Sequence, residues 1–196
     1  MSKYRVIALY GASGSGKDTI LKWIVSHYPK IKPIVSCTTR PRREGEVEGV
    51  DYYYITDDQM AEQIMDGQML EATHFRGWFY GTQVSALSED TINIGVFNPA
   101  GLMALEENPD ISLLKIYVDA SDKTRLLRCL NREKNPDCDE IVRRFQTDKR
   151  DIQEYQAETE NEDFVLNNEN LDLDRLHVNT FENIMGDWAE LFKQLR

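Results

Sequence analysis

A chain of 196 residues, 41% hydrophobic and 29% charged, is long enough to bury one full core and fits a single domain with inserted subdomains. Its formal net charge of −11 argues against general affinity for nucleic acid, which needs clustered cations to release counterions. No apolar run nears the roughly 18 residues of a membrane span, and Met1-Ser2-Lys3-Tyr4 lacks the features of a secretion signal.

Cys37, Cys129 and Cys138 form no Cys-x-x-Cys pair and are odd in number, so they read as reduced thiols of a cytoplasmic protein. His27, His74 and His177 are scattered, which argues against zinc. The overall acidity hides local asymmetry. Arg40, Arg42 and Arg43 form one basic cluster, and Arg125, Arg128, Arg132, Lys134, Arg143, Arg144, Lys149 and Arg150 fall within 125–150, ahead of an acidic stretch at 151–175.

In chain order, residues 4–10 read as a buried strand and 17–28 as a helix. Between them lies Gly11-Ala12-Ser13-Gly14-Ser15-Gly16-Lys17-Asp18, a glycine-rich loop in the strand–loop–helix setting that a phosphate-binding P-loop requires. Its glycines let backbone N–H groups converge on an oligophosphate at the helix N-terminus, and Lys17 adds a point charge. Pro33-Ile34-Val35-Ser36 reads as a short second strand, Tyr52-Tyr53-Tyr54-Ile55 as another, and 57–67 as a helix capped by Thr56 or Asp57. Residues 69–75 and 78–82, joined by Arg76-Gly77, predict a hairpin. Ile92 to Phe97, Leu113 to Val118 and Phe164 to Leu166 resume the buried-strand pattern, and a long polar helix covers about 138–158. A C-terminal helix places Phe181, Ile184, Trp188, Leu191, Phe192 and Leu195 on one face. Strands alternating with helices imply an α/β layer with a mainly parallel sheet, and 36–88 breaks that rhythm as an inserted mixed α+β lobe.

The run from Ser36 to Tyr52 (Ser-Cys-Thr-Thr-Arg-Pro-Arg-Arg-Glu-Gly-Glu-Val-Glu-Gly-Val-Asp-Tyr), together with the P-loop, closely resembles the guanylate kinase family. Tyr80-Gly81-Thr82, with Glu71 nine residues before the tyrosine, matches a later family element. The resemblance covers essentially the whole length and implies a P-loop kinase three-layer fold. On this pattern the chain is one domain with a core at 1–35, 89–124 and 152–196, an acceptor-nucleotide lobe at 36–88 and a helical lid at 125–151.

The activity implied is ATP-dependent phosphorylation of GMP or dGMP. Carried over residue by residue, 11–19 (Gly11, Ala12, Ser13, Gly14, Ser15, Gly16, Lys17, Asp18, Thr19) would bind ATP. Arg40, Arg43, Tyr52 and Tyr80 would hold the acceptor phosphate, while Ser36, Glu71 and Thr82 read the base. Chemistry agrees: arginine forks match phosphate oxygens, and a carboxylate accepts both N1–H and N2–H of guanine, whereas adenine would leave Glu71 facing a bare acceptor. Lys17, Arg40, Arg132 and Arg144 are the candidate catalytic residues, with Arg128 and Arg143 as neighbours, because phosphoryl transfer relies on positioning and neutralisation of spread charge. Val165-Leu166-Asn167-Asn168 matches a family region near the donor adenine. The implied partners are nucleotides and Mg²⁺ with ATP, in a monomer or homodimer, with neither nucleic acid nor membrane.

The chain departs from the family pattern in three segments. Arg40-Pro41-Arg42-Arg43 moves the proline one place earlier, so Arg42 is an alternative to Arg43. Val96 and Asn98 stand where the family carries aspartates, and the Asn98 carbonyl remains an acceptor for guanine N2. Asp18 replaces the hydroxyl residue that ligates Mg²⁺; it either holds the ion directly or through water, cedes it to Thr19 about 100° round the helix, or marks a dead site. The Gly-Lys-Asp form resembles ribose 1,5-bisphosphate phosphokinases, so a different acceptor (that phosphosugar or another nucleoside monophosphate) is one alternative. An inactive guanylate-kinase-like binding module is the other.

Overall fold

The structure, a computed structural model, describes residues 2–43, 45–75, 77–132, 134–159 and 164–169. The expected C-terminal helix with Phe181 to Leu195, His177, and Arg76 of the hairpin turn lie outside the described residues. The first strand, β1 (Tyr4–Tyr10), is buried on both faces, as a continuous apolar run in a parallel sheet should be. Val6, Ala8 and Tyr10 join one core with Phe97, Leu102, Leu105 and Tyr155. Ile7 and Leu9, pointing the other way, join a second core with Ile20, Ile24, Ile94 and Val118. The period of two thus divides β1 between helix layers above and below the sheet.

Five strands form that sheet in the order β2 (Ile31–Pro33), β7 (Ile92–Val96), β1, β8 (Ile111–Asp119), β9 (Phe164–Asn167), every neighbouring pair parallel. The remaining strands, β3 (Cys37–Thr38), β4 (Tyr53–Tyr54), β5 (Met69–Phe75) and β6 (Trp78–Gln83), make a second, mixed sheet in the order β4-β3-β6-β5. The architecture is therefore the α/β fold expected, and its hairpin pairs in register from Phe75 against Trp78. The second strand is displaced from expectation: Pro33 ends β2, and Cys37 then opens β3 in the other sheet. Ile34 still bonds to Ile94 through its backbone, so 34–36 is the crossover between sheets rather than one strand.

Of the helices, α1 (Lys17–His27) follows β1 directly, and α2 (Asp57–Met65) starts at Thr56, whose side chain and Gln59 close a capping box. Two further helices are α3 (Pro99–Glu106), where no helix was read from the sequence, and α4 (Asp122–Arg132), most of which falls within the stretch 125–151 expected to be helical. The long helix α5 (Cys138–Glu158) has the expected bounds. Its C-terminal half is anchored by Ile152 and Tyr155, both buried. The Tyr155 hydroxyl donates to Glu106 of α3 at 2.9 Å and accepts from Lys115 of β8 at 3.0 Å, while Lys115 pairs with Glu106 at 2.6 Å.

That mostly buried triad ties α5, α3 and the sheet together. Lys115→Met leaves Glu106 without its cation, so chemical denaturation should show a loss of about 2–3 kcal/mol. Adding Glu106→Leu should restore part of it, because the pair is then removed as a unit; no recovery would assign the loss to packing alone.

Candidate active site

The loop between β1 and α1 sits at the carboxyl end of the central strand, where ligands of open α/β sheets bind. Gly14 and Gly16 have φ of 79° and 97°, left-handed values that disfavour any side chain. Neither has room for one: a Cβ on Gly14 would strike the Arg125 backbone, and on Gly16 the Asn168 amide. Carbonyls of the loop are held from outside. Arg128 Nη1 donates to Gly14 O and Ser15 O at 3.3 Å each, and Asn168 Nδ2 donates to Ser15 O at 2.6 Å. Arg128 and Asn168 thus brace the loop itself, a task their sequence positions did not disclose. Lys17 donates its amine to Gly11 O at 2.8 Å and Ala12 O at 3.0 Å, and burial pushes its pKa down while the Asp18 and Asp148 charges oppose that. The Ser13 N–H donates to Asp148 of α5 at 2.7 Å.

A cavity of about 460 Å³ runs from this loop to the second sheet. Lys17 and Asp18 line it at one end, Ser36 and Glu71 at the other, with Arg40, Arg43, Tyr52 and Tyr80 between. Arg143 and Arg144 reach it from α5. Thr19 is exposed and does not line the cavity, so Asp18 is the residue of that pair facing it. Arg132, exposed at the end of α4, does not line it either, although its charge acts on Arg43. Thr82 lies behind the wall, buried, within 3.2 Å of the Ser36 hydroxyl.

Arg40 is buried and held by a fork: Nη2 and Nη1 donate to the two Glu46 oxygens at 2.9 and 3.0 Å. Burial opposes its charge, but Glu46 more than offsets that and keeps its pKa above the usual arginine range. Glu46 is itself raised by burial and lowered further by Arg40, the Arg43 backbone and Tyr54, reaching about 2. Tyr80 favours the same charge, and the Nε of Arg40 remains buried without a hydrogen-bond partner among the described residues. An unpaired buried donor is costly and marks a place for an acceptor oxygen. Arg43 is pushed below its ordinary range by burial and by the charges of Arg40, Arg144 and Arg132. Guanidinium groups crowded this way are arranged for an anion. Arg42 does not line the cavity, whereas Arg43 does, which separates the two candidates.

At the far end Glu71 is buried, and its carboxyl is pushed up to about 7 by burial, against hydrogen bonds from Thr82. Asn98 differs from expectation. Its carbonyl accepts from Gly101 N at 2.8 Å as the N-cap of α3, and its amide donates to Thr73 at 2.9 Å. The signal for this was present in the sequence, since Asn followed by Pro is a helix start. Each end of the Asn98 amide thus has one protein partner, while the residue itself still lines the cavity beside Glu71.

Mg²⁺ prefers oxygen ligands and keeps several from phosphates and water. The cavity-facing carboxylate of Asp18, which directly follows Lys17, fits that donor set, and the described residues hold no cluster of three or more His, Cys, Asp or Glu that would form a protein cage.

The family model described as Guanylate kinase matches residues 3–183. The guanylate kinase of Prochlorococcus marinus is 31% identical over 175 residues, covering 86% of this chain and 91% of that protein. Guanylate kinases of Symbiobacterium thermophilum and a Synechococcus species are 40% and 41% identical over 93 and 95 residues, and these matches span about half of each relative, 44% and 51%. The crystal structure of guanylate kinase from Anaplasma phagocytophilum superposes with a TM-score of 0.66 at 20% identity, covering 96% of this chain and 88% of that one, which bears on the fold.

Glu71 gives a stability test. A carboxyl raised from 4.5 to about 7 on folding stabilises fully below the lower value and loses that contribution as pH rises through 7. Glu71→Gln should therefore be more stable than wild type at pH 8, by on the order of 3 kcal/mol at most, seen as a higher Tm, with the gain shrinking towards pH 5. A wild type more stable than the variant at pH 8 would mean that the carboxylate has a cation partner.

Proposed function

The chain belongs to the guanylate kinase family, and from that premise we propose that it transfers the terminal phosphoryl group of ATP to GMP or dGMP. The observation that carries the reading is one cavity with a P-loop at one end, a buried carboxylate at the other and arginines between. The donor phosphates lie along residues 11–19, with Lys17 released from its own loop carbonyls onto them. The acceptor phosphate takes Arg40, through its spare Nε–H, with Arg43, Tyr52 and Tyr80. Ser36 and Glu71 read guanine, and Thr82 supports both from behind.

An anionic phosphate oxygen attacks the γ-phosphorus in line, ADP leaves, and no general base is needed because the nucleophile carries no proton to remove. Arg144 and, once α4 and α5 close over the site, Arg132 neutralise charge on the equatorial oxygens. Closure of the 36–88 lobe and of the 125–151 lid on the core excludes water, which would otherwise hydrolyse ATP. Asp18 would hold Mg²⁺, directly or through water. The ion would supply neutralisation of the negative charge on the donor phosphates. A cytoplasmic enzyme of nucleotide metabolism is the setting this reading implies. Asp18, together with the Asn98 amide turned onto Thr73, favours a second reading in which the acceptor is another phosphate ester, such as ribose 1,5-bisphosphate.

A coupled ADP-release assay with ATP, Mg²⁺ and a panel of GMP, dGMP, AMP, dTMP and ribose 1,5-bisphosphate separates them. Turnover should be fastest with GMP or dGMP, and Lys17→Ala should lower kcat by about 10²–10³ while the chain stays folded. Faster turnover of ribose 1,5-bisphosphate would establish the second reading; binding of GMP without any turnover would make the chain a binding module.

The pH adds a second check. Glu71 accepts both guanine donors only when ionised, so the affinity ratio of GMP to AMP should rise as pH increases through about 7. Using the ratio cancels titration of the nucleotide phosphate. A flat ratio would remove Glu71 as the base reader.

A further inference from the structure

Asp148 has no part in the chemistry above, yet it occupies the loop's own anion position. It lies midway along α5 with 9% of its surface exposed, and its Oδ2 accepts from the Ser13 N–H at 2.7 Å. A backbone N–H has one hydrogen to give. Lys17 is likewise committed, donating to Gly11 O and Ala12 O, and the Asp148 charge helps to keep it protonated. Protein groups therefore satisfy the loop's cation and one of its donors before any ligand arrives.

Charge makes the arrangement exclusive. A phosphate oxygen at Ser13 N would stand within a few ångströms of a buried carboxylate, where like charges repel far more than in water. Position on the helix extends the consequence. Glu140, Arg144, Asp148 and Ile152 recur every four residues and all line the cavity, so they form one stripe along α5. Arg144 is one turn from Asp148, and its charge acts on Arg43. Beyond Ile152 the helix is anchored through Tyr155, so a displacement at Asp148 is taken up on its N-terminal side, which carries Arg144.

We propose that Asp148 is a positioning residue that holds the empty P-loop and is displaced by the donor's phosphate, so that ATP entry and the placement of Arg144 are one event. The inference rests on the P-loop as the ATP site. It makes ATP binding bear the cost of releasing the carboxylate, a penalty that a neutral side chain removes.

Calorimetric titration of the full chain with ATP, with and without Mg²⁺, tests this on Asp148→Asn, Asp148→Ser and the control Glu154→Gln, an exposed carboxylate further along α5. Both Asp148 variants should bind ATP about fivefold or more tightly, with KM for ATP falling in step and ATP hydrolysis without acceptor rising. Glu154→Gln should bind as wild type does. Unchanged or weaker ATP binding in a folded Asp148 variant overturns the proposal, and weakening confined to Mg²⁺ would assign Asp148 to the metal instead. Wild type that binds no ATP would defeat the P-loop reading itself. In the unaltered protein, hydrogen exchange across 143–150 must change when ATP is added; an α5 indifferent to ATP also overturns the proposal.

Discussion

The loop between β1 and α1 must turn backbone donors inward while its carbonyls face a packed interior, and much of the molecule is arranged around that demand. Two of its glycines take left-handed backbone angles, and at both a side chain would collide with α4 or with Asn168. The carbonyls they expose are taken by Arg128 and Asn168, from α4 and from the residue after β9. A central strand buried on both faces fixes where the loop begins. This explains why residues more than a hundred positions away are needed to shape a segment that its own sequence already marks.

Charge poses the complementary problem along the cavity. Burial and the neighbouring arginines hold the Arg43 pKa down, Glu46 forks onto Arg40, and Arg40 keeps one buried donor without a partner among the described residues. At the other end Glu71 is a carboxylate with no charged partner given by any described contact, and its raised pKa records the cost. A buried guanidinium donor without an acceptor and a buried carboxylate without a cation are both costs of the empty state. On the proposed reading one ligand, a purine nucleoside monophosphate, relieves both.

What the sequence disclosed follows from where its signals are local. The apolar runs of β1, β7 and β8, the helix start at Thr56 or Asp57 and the polar period of α5 are short-range patterns, and each formed where it was read, with Thr56 as the cap. The break at Ile34 to Ser36 was hidden because a crossover between two sheets has the same composition as a strand. Helix α3 was passed over because it is short and apolar, and α4 was anticipated only as part of a helical stretch at 125–151, its arginines having been read for their charge. Most of the candidate site residues line one cavity, but their hydrogen bonds were not legible. Asn98 is spent on a cap and on Thr73, and Asp148 meets Ser13 across 135 positions, which no local pattern announces.

The central claim is that donor and acceptor phosphates share one cavity and meet between Lys17 and Arg40. A bisubstrate ligand, adenosine joined to guanosine through five phosphates, measures this directly in a binding titration with competition. The account predicts one molecule bound per chain, tighter than ATP or GMP alone, and displaced by either nucleotide. Two molecules per chain, or competition with only one nucleotide, would contradict it.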